Sequence, residues 1–492
     1  MNNHSKQHRS LWRGAVFYQI YPRSFHDTNA DGIGDLKGIT EKLSYIKDLG
    51  VDGIWICPFY PSPMKDFGYD VSDYRDIDPM FGNLDDFDHL LTKAHDLSLK
   101  IIIDLVLSHT SDQHPWFHDP AKKDWYVWAD PKDGEPPNNW RSIFGGSAWT
   151  LDERYGEYYL HNFLKEQPDL NFHNPQVQTE ALDIAKFWLE RGVDGFRLDT
   201  VNFYFHDQQL RDNPPAQNPQ PATQFDGDDP YSHQQHIHDK SQPENIEFLK
   251  KFRKLLDQYD AFAIGEIGDD NPIERTAEYT APGLLHTAYN LQMMTGQTTK
   301  LTPALIRKPI EQFLKHKNCW PSWAFSNHDV VRATTRWNTP PQMLNTLLTC
   351  LYGTIFLYQG EELGLPETQL KFEDLQDPWG KHLWPQWQGR DGCRTPIPWT
   401  NQKPENTWLP VPDEHLTLNV EAQIADARST LNHTKELLKN RSDILKYGDI
   451  KFINNDNPNI LHFKRTLNGE TIDCRFNLAS PFDYRLSHHP QE

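Results

Sequence analysis

KIIIDLVLSHT, residues 100–110, is a run of apolar residues from Ile101 to Leu107, interrupted only by Asp104, that ends in polar residues. A short run without alternation reads as a strand buried on both faces, as in a parallel sheet covered by helices. It is far shorter than the roughly 20 apolar residues needed to cross a membrane. The same signature recurs on either side of it. Upstream lie AVFYQIY (15–21), a helix-like segment at 38–49 and GIWI (53–56). Downstream come the helix pattern TEALDIAKFWLERG (179–192), GFRLD (195–199), ENIEFLKKFRKLLDQY (244–259) and AFAIGE (261–266). LLHTAYN (284–290), SWAFSN (322–327) with a helix near 340–352, and TIFLYQG (354–360) complete eight strands. Eight βα units predict an α/β fold, a closed (β/α)8 TIM barrel.

Two connections are too long for ordinary βα loops of 2–6 residues. The segment 110–175, rich in Trp, Pro, Asn and Gly, is expected to be a subdomain inserted after strand three, leaving 1–109 and 176–445 as the barrel. The loop 202–243 contains NPPAQNPQPATQFDGDDP, too polar and proline-rich to pack a core alone, and reads as a lid or a disordered loop. A last helix pattern near 419–441 precedes IKFI, ILHFKR and TIDCRFNL, which predict a small antiparallel β domain over 446–492.

Composition excludes several functions. The 492 residues carry a net charge of −20, which disfavours nucleic acid, because binding it requires cationic surface to displace counterions. The polar N-terminus MNNHSKQHRS has no signal-peptide core, and five scattered cysteines, an odd number, suggest neither a disulfide framework nor a zinc site. A cytoplasmic protein that uses no membrane is expected.

In such a barrel the active site forms at the carboxyl ends of the strands. DLVLSHT places Asp104 and His109 there, GFRLDT places Arg197 and Asp199, AIGEIGDD places Glu266, and FSNHDVVR places His328 and Asp329. Any one of these carboxylates could be a helix cap after a strand. Together they suit glycoside chemistry, in which a nucleophile attacks the anomeric carbon and a protonated acid about 5–5.5 Å away assists the leaving group. Arg197, two residues before Asp199, shares its strand face and should favour the ionised nucleophile.

These residues resemble the α-amylase superfamily, glycoside hydrolase family 13, over nearly the whole chain. The resemblance implies Asp199 as nucleophile, Glu266 as acid/base and Asp329 as transition-state stabiliser, with His109 and His328 contacting the sugar and Arg197 accompanying the nucleophile. DFGYDVSDY implies that Asp66 binds the non-reducing glucose, that Tyr69 stacks on it, and that Arg394 of GRDGCRTPIPW is the partner of Asp66 closing the pocket. Phe144 and Phe163, aromatics of the insert, are candidate pocket walls. Family members carry a longer C-terminal β domain, so a truncated sheet lacking its final strands is expected.

One position departs from the family pattern. Ser108 replaces the Asn that precedes the strand-three histidine and binds calcium in many amylases. No cofactor is implied for catalysis, but DTNADGIGD (27–35) offers Asp27, Asn29, Asp31, the Ile33 carbonyl and Asp35 at the spacing of the first half of a calcium loop. The twelfth position, a bidentate Glu in an EF-hand, is Gly38. A structural Ca²⁺ or Mg²⁺ is expected there.

EQPDLNF (166–172) resembles the signature of the oligo-1,6-glucosidase and α-glucosidase branch. In that branch Val after the nucleophile accompanies α-1,6 specificity and a smaller or polar residue α-1,4, so Thr200 implies maltose and short α-1,4-glucosides as substrates, with some transglucosylation. An α-1,6-glucosidase or a sucrose-acting glucosyltransferase would use the same catalytic residues. The alternative of another class is a non-catalytic relative, either a carbohydrate-binding protein or a transporter subunit, the latter carrying a membrane anchor and an incomplete carboxylate set.

Overall fold

The computed structural model describes residues 12–217, 219, 229–294, 300–316, 319–480 and 482–489. The N-terminal segment MNNHSKQHRS and the middle of the proposed lid, 218 and 220–228, lie outside the described residues.

Eight parallel strands close a barrel: β1 (Val16–Ile20), β2 (Gly53–Ile56), β3 (Lys100–Leu105), β7 (Gly195–Leu198), β8 (Phe262–Glu266), β9 (Thr287–Tyr289), β10 (Pro321–Trp323) and β11 (Thr354–Tyr358). The insert contributes β4 (Trp128–Ala129), β5 (Trp149–Asp152) and β6 (Glu157–Leu160), paired in the order β4-β6-β5. Its residues Val127, Trp140, Ala148, Trp149 and Leu160 form an apolar cluster of their own.

The barrel strands are buried almost throughout, which explains why they read as continuous apolar runs. Covering helices start where the sequence supplies caps. Asn83 and Asp86 form a reciprocal capping box on helix Leu84–Asp96, whose Phe87, Leu90, Leu91 and Ala94 face inward. Asn174 caps helix Pro175–Glu190, with Pro175 at its first position. Register then levels the functional residues: Asp104 lies beside Arg197, Leu198 beside Gly265, and Glu266 beside Tyr289.

The helix expected near 419–441 is two, Val420–Ala425 and Thr430–Lys439. Ser429 accepts the N–H of Asn432 and Asp426 that of Arg428, so local side-chain bonds end one helix and start the next. The C-terminal sheet has strands β12 (Asp449–Phe452), β13 (Ile460–Leu467), β14 (Glu470–Asn477) and β15 (Tyr484–His489). The fourth escaped sequence reading because YRLSHH lies at an edge with mostly exposed side chains and has only Tyr484 and Leu486 as apolar residues. Buried Arg465 ties this sheet to the barrel by donating to the carbonyls of Cys350 and Gly448, at 2.7 Å each. No disulfide joins any of the five cysteines, and among the described residues no helix is long and apolar enough to cross a membrane.

Candidate active site

At the carboxyl end of β7 the buried guanidinium of Arg197 spans two carboxylates. Its Nη1 lies 2.6 Å from Asp199 Oδ1 and its Nη2 2.7 Å from Glu266 Oε2. Nη1 also binds Asp104, whose second oxygen accepts from Trp55 Nε1 at 2.8 Å. Asp104 and Trp55 therefore hold the arginine from beneath. Burial raises the Asp199 carboxyl to about 6, Arg197 opposing it and the charge of Asp104 adding to it. Burial raises Glu266 further, to about 7, against Arg197 and with the charges of Asp199 and Asp329 adding. The guanidinium only partly offsets the burial of Asp199, but the order suits an ionised nucleophile beside a protonated acid.

Thr200 follows the nucleophile with a φ of 39°, a conformation uncommon for a β-branched residue. Its Oγ1 donates to Asp199 Oδ2 at 3.2 Å and lies 2.9 Å from Ser108 Oγ. Ser108 thus serves the nucleophile turn.

Asp329, on the loop after β10, faces a cluster of cations. Arg394 Nη2 lies 2.8 Å and Arg390 Nη1 3.4 Å from its Oδ1. Although burial opposes ionisation, these cations help hold Asp329 well below the usual carboxylate range. Burial lowers His328 to about 3, leaving a neutral ring. Its Nδ1 accepts from Gln19 Nε2 at 2.8 Å, so the ring carries its proton on Nε2, 3.1 Å from Asp329 Oδ2 and 2.7 Å from the Tyr69 hydroxyl. The rings of Tyr69 and His328 are parallel, 5.3 Å apart. Tyr69 therefore lies against a histidine on one face.

The resemblance-based pairing of Asp66 with Arg394 is corrected. Asp66 Oδ1 accepts from Arg390 Nη2 at 2.7 Å, while Arg394 donates from Nε to the His328 carbonyl at 2.6 Å and from Nη2 to Asp329. The two arginines flank the 3-10 turn Asp391–Cys393, which sends them different ways. Asp377 fixes the choice by accepting from Arg390 Nε at 3.1 Å and Nη2 at 2.8 Å. Burial raises the Asp66 carboxyl, against the pull of Arg390.

Gln167, from EQPDLNF, donates to Asp66 Oδ2 at 3.2 Å and lies 3.1 Å from His109 Nε2. His109 also donates to the Tyr69 carbonyl at 3.0 Å, and burial lowers it to about 4. Phe163 packs 5.1 Å from the His109 ring and 5.4 Å from that of Phe203. Phe144 sits 4.8 Å from Trp379, and neither insert phenylalanine belongs to the insert's own core. Sequence reading missed Gln167, Asp377 and Arg390. Gln167 could have been found from its place in a motif already singled out.

The loop Asp27–Asp35 lies apart from these groups in contact. Asp27 accepts from the N–H groups of Asn29, Ala30 and Gly32, Asn29 from that of Asp31, and Asp31 from that of Ile33. Asp35 caps helix Leu36–Glu41 through Gly38 N–H and also binds Thr28. Among the described residues, no three His, Cys, Asp or Glu side chains are grouped to hold a metal ion. A cation would have to draw the carboxylates of Asp27, Asp31 and Asp35 together.

Residues 19–448 match the α-amylase catalytic domain. The chain is 50% identical to a "Probable alpha-glucosidase" of Rhizobium meliloti (strain 1021), over 96% of this chain and 90% of that protein. It is 37% identical to an "Oligo-1,6-glucosidase" of Parageobacillus thermoglucosidasius, over 98% and 93%. The solved structure of an "alpha-glucosyl transfer enzyme, XgtA" superposes with a TM-score of 0.91 at 51% identity, covering 95% of this chain and 91% of that one.

Proposed function

The chain belongs to the α-amylase catalytic-domain family, and from that premise we propose that it is a retaining, exo-acting α-glucosidase cleaving terminal α-1,4-linked glucose from maltose and other short α-glucosides. The observation that carries this reading is the span of Arg197 between Asp199 and Glu266, with the carboxyl of Glu266 the harder of the two to ionise. Asp199 attacks the anomeric carbon as Glu266 protonates the departing oxygen, giving a β-linked glucosyl-enzyme. Glu266, now ionised, takes a proton from water, whose oxygen displaces Asp199 and releases α-glucose. Asp329 grips sugar hydroxyls, and the Asp66–Arg390 pair ends the pocket beyond one glucose.

A sugar hydroxyl in place of water gives transglucosylation; the name of the structure superposing at 0.91 favours it as a second activity. The α-1,4 preference rests on Thr200. The complete carboxylate set argues against a non-catalytic role. Five cysteines that form no disulfide suit a reducing cytoplasm. For the loop Asp27–Asp35, its donor spacing supports a structural Ca²⁺ or Mg²⁺ held by Asp27, Asn29, Asp31, the Ile33 carbonyl and Asp35.

Steady-state hydrolysis of maltose, isomaltose, sucrose and maltotriose, with the released glucose followed by NMR, tests the reading. Maltose is expected to be preferred and α-glucose to appear first. Initial release of β-glucose overturns the retaining mechanism.

A further inference from the structure

Arg390 is held by more than its charge partners. Its Cζ lies 5.3 Å from the ring centroid of Phe144, at the tip of the insert, and 5.8 Å from that of Trp379, in the long loop after β11. Those two rings meet at 4.8 Å, and Trp387 backs Trp379 at 5.2 Å. The insert therefore meets the barrel loop across this guanidinium.

The loop is built to fix Trp379 and Arg390 together. Asp377, fully buried, accepts the backbone N–H of Trp379 at 3.3 Å through Oδ1 and that of Arg390 at 2.7 Å through Oδ2, besides binding the Arg390 side chain. Gly380 and Gly389 let the two arms of the loop press together: a Cβ on Gly380 would lie 2.2 Å from the Gln388 carbonyl oxygen, and one on Gly389 2.5 Å from Asp377 Oδ2. One carboxylate thus sets both the tryptophan and the arginine. An aromatic face beside a desolvated guanidinium attracts it and keeps it from swinging toward solvent.

In a glucopyranose, C4 lies across the ring from C1. With C1 at Asp199, the 4-hydroxyl faces whatever closes the far end of the pocket, here Asp66 and Arg390. Resting on the α-glucosidase reading above, we propose that Trp379 is a positioning residue that acts through Arg390 to select substrates with a free 4-hydroxyl on the terminal glucose. Phe144 completes the clamp from the insert, so selection of the chain end depends on the docking of two segments some 235 positions apart in sequence.

The test compares p-nitrophenyl α-glucoside with its 4-deoxy analogue in wild type, Trp379→Ala, Trp379→Phe and Phe144→Leu. Wild type should favour the parent. Trp379→Ala should lower kcat/KM on the parent about tenfold, mainly through KM, while the 4-deoxy substrate changes less than about twofold, as expected when one substrate contact is lost. Trp379→Phe should restore most of the discrimination and Phe144→Leu should reduce it. Equal loss on both substrates, or no loss on either, in the folded variants overturns the proposal; circular dichroism identifies these, and if Trp379→Ala does not fold, Phe144→Leu decides. Failure of wild type to hydrolyse either substrate would instead refute the α-glucosidase reading.

Discussion

The backbone N–H of Thr200 donates to Glu266 Oε2 at 3.2 Å. The peptide that follows the nucleophile therefore touches the acid/base directly, while the Thr200 hydroxyl reaches Asp199. Thr200→Val keeps the N–H and the branching but removes the hydroxyl, and with it the bonds to Asp199 Oδ2 and Ser108 Oγ. The ratio of kcat/KM on maltose to that on isomaltose should fall about tenfold, the scale of one hydrogen bond in a specificity pocket. An unchanged ratio would refute the assignment of linkage preference to this side chain.

The carboxyls of Asp199 and Glu266, at about 6 and about 7, fix the sign of each limb of the pH profile. Activity needs Asp199 ionised and Glu266 protonated. The kcat/KM on maltose, whose leaving group needs a proton, should rise with pH as Asp199 loses its proton and fall at higher pH as Glu266 loses its own. Glu266→Gln should remove the alkaline limb and leave the acid limb in place, as a pH titration of initial rates would reveal.

Proton donation matters most for a poor leaving group. Glu266→Gln should lower kcat on maltose by about 10²–10⁴, the usual span for general acid catalysis. Formation of the glucosyl-enzyme from p-nitrophenyl α-glucoside, whose phenolate departs without a proton, should slow far less. Stopped-flow release of p-nitrophenol against maltose turnover separates the two. Equal losses would mean that Glu266 does not protonate the leaving group.

The barrel was legible because its strands are buried on both faces. KIIIDLVL and TIFLY could only be interior strands, and the polar residues after such runs fall at one end of a parallel barrel by topology alone. Asp199, Glu266 and Asp329 were readable for that reason. The Asp66 partner was not, because two arginines four residues apart offer the same charge. The choice between them is made by the turn Asp391–Cys393 and by Asp377, thirteen positions before Arg390. Trp379 carried no signal either, since its role depends on a ring delivered by the insert. Strand β15 was hidden by its exposure.

Arg390→Ala and Arg394→Ala should have different effects. The first leaves Asp66 and Asp377 buried without their cation, a loss of about 3–5 kcal/mol when one partner of a buried pair is removed. Discrimination for the 4-hydroxyl should vanish, and the melting temperature should fall. Arg394→Ala unloads Asp329 instead, raising its pKa and lowering kcat while discrimination at the 4-position survives. Combining Asp66→Asn with Arg390→Ala should cost less than the sum of the separate losses, because the two side chains share one interaction. Strict additivity in thermal unfolding and in kcat/KM would contradict the pairing.

The loop Asp27–Asp35 can be tested without turnover. Its carboxylates now accept backbone N–H groups, but Asp27 Oδ2, both oxygens of Asp31 and Asp35 Oδ1 each keep a second lone pair, and the side chains recur at alternate positions as an oxygen-ligand loop requires. A cation binding only the folded chain stabilises it by about 2.7 kcal/mol at a hundredfold excess over Kd. Melting of the chelator-stripped protein should therefore rise by a few degrees on addition of CaCl₂ or MgCl₂, and Asp27→Ala and Asp31→Ala should abolish that rise. Asp35→Ala is less informative, because it also removes the cap of helix Leu36–Glu41. If the stripped protein melts identically with and without both cations, the segment is a turn held by its own hydrogen bonds and has no metal role.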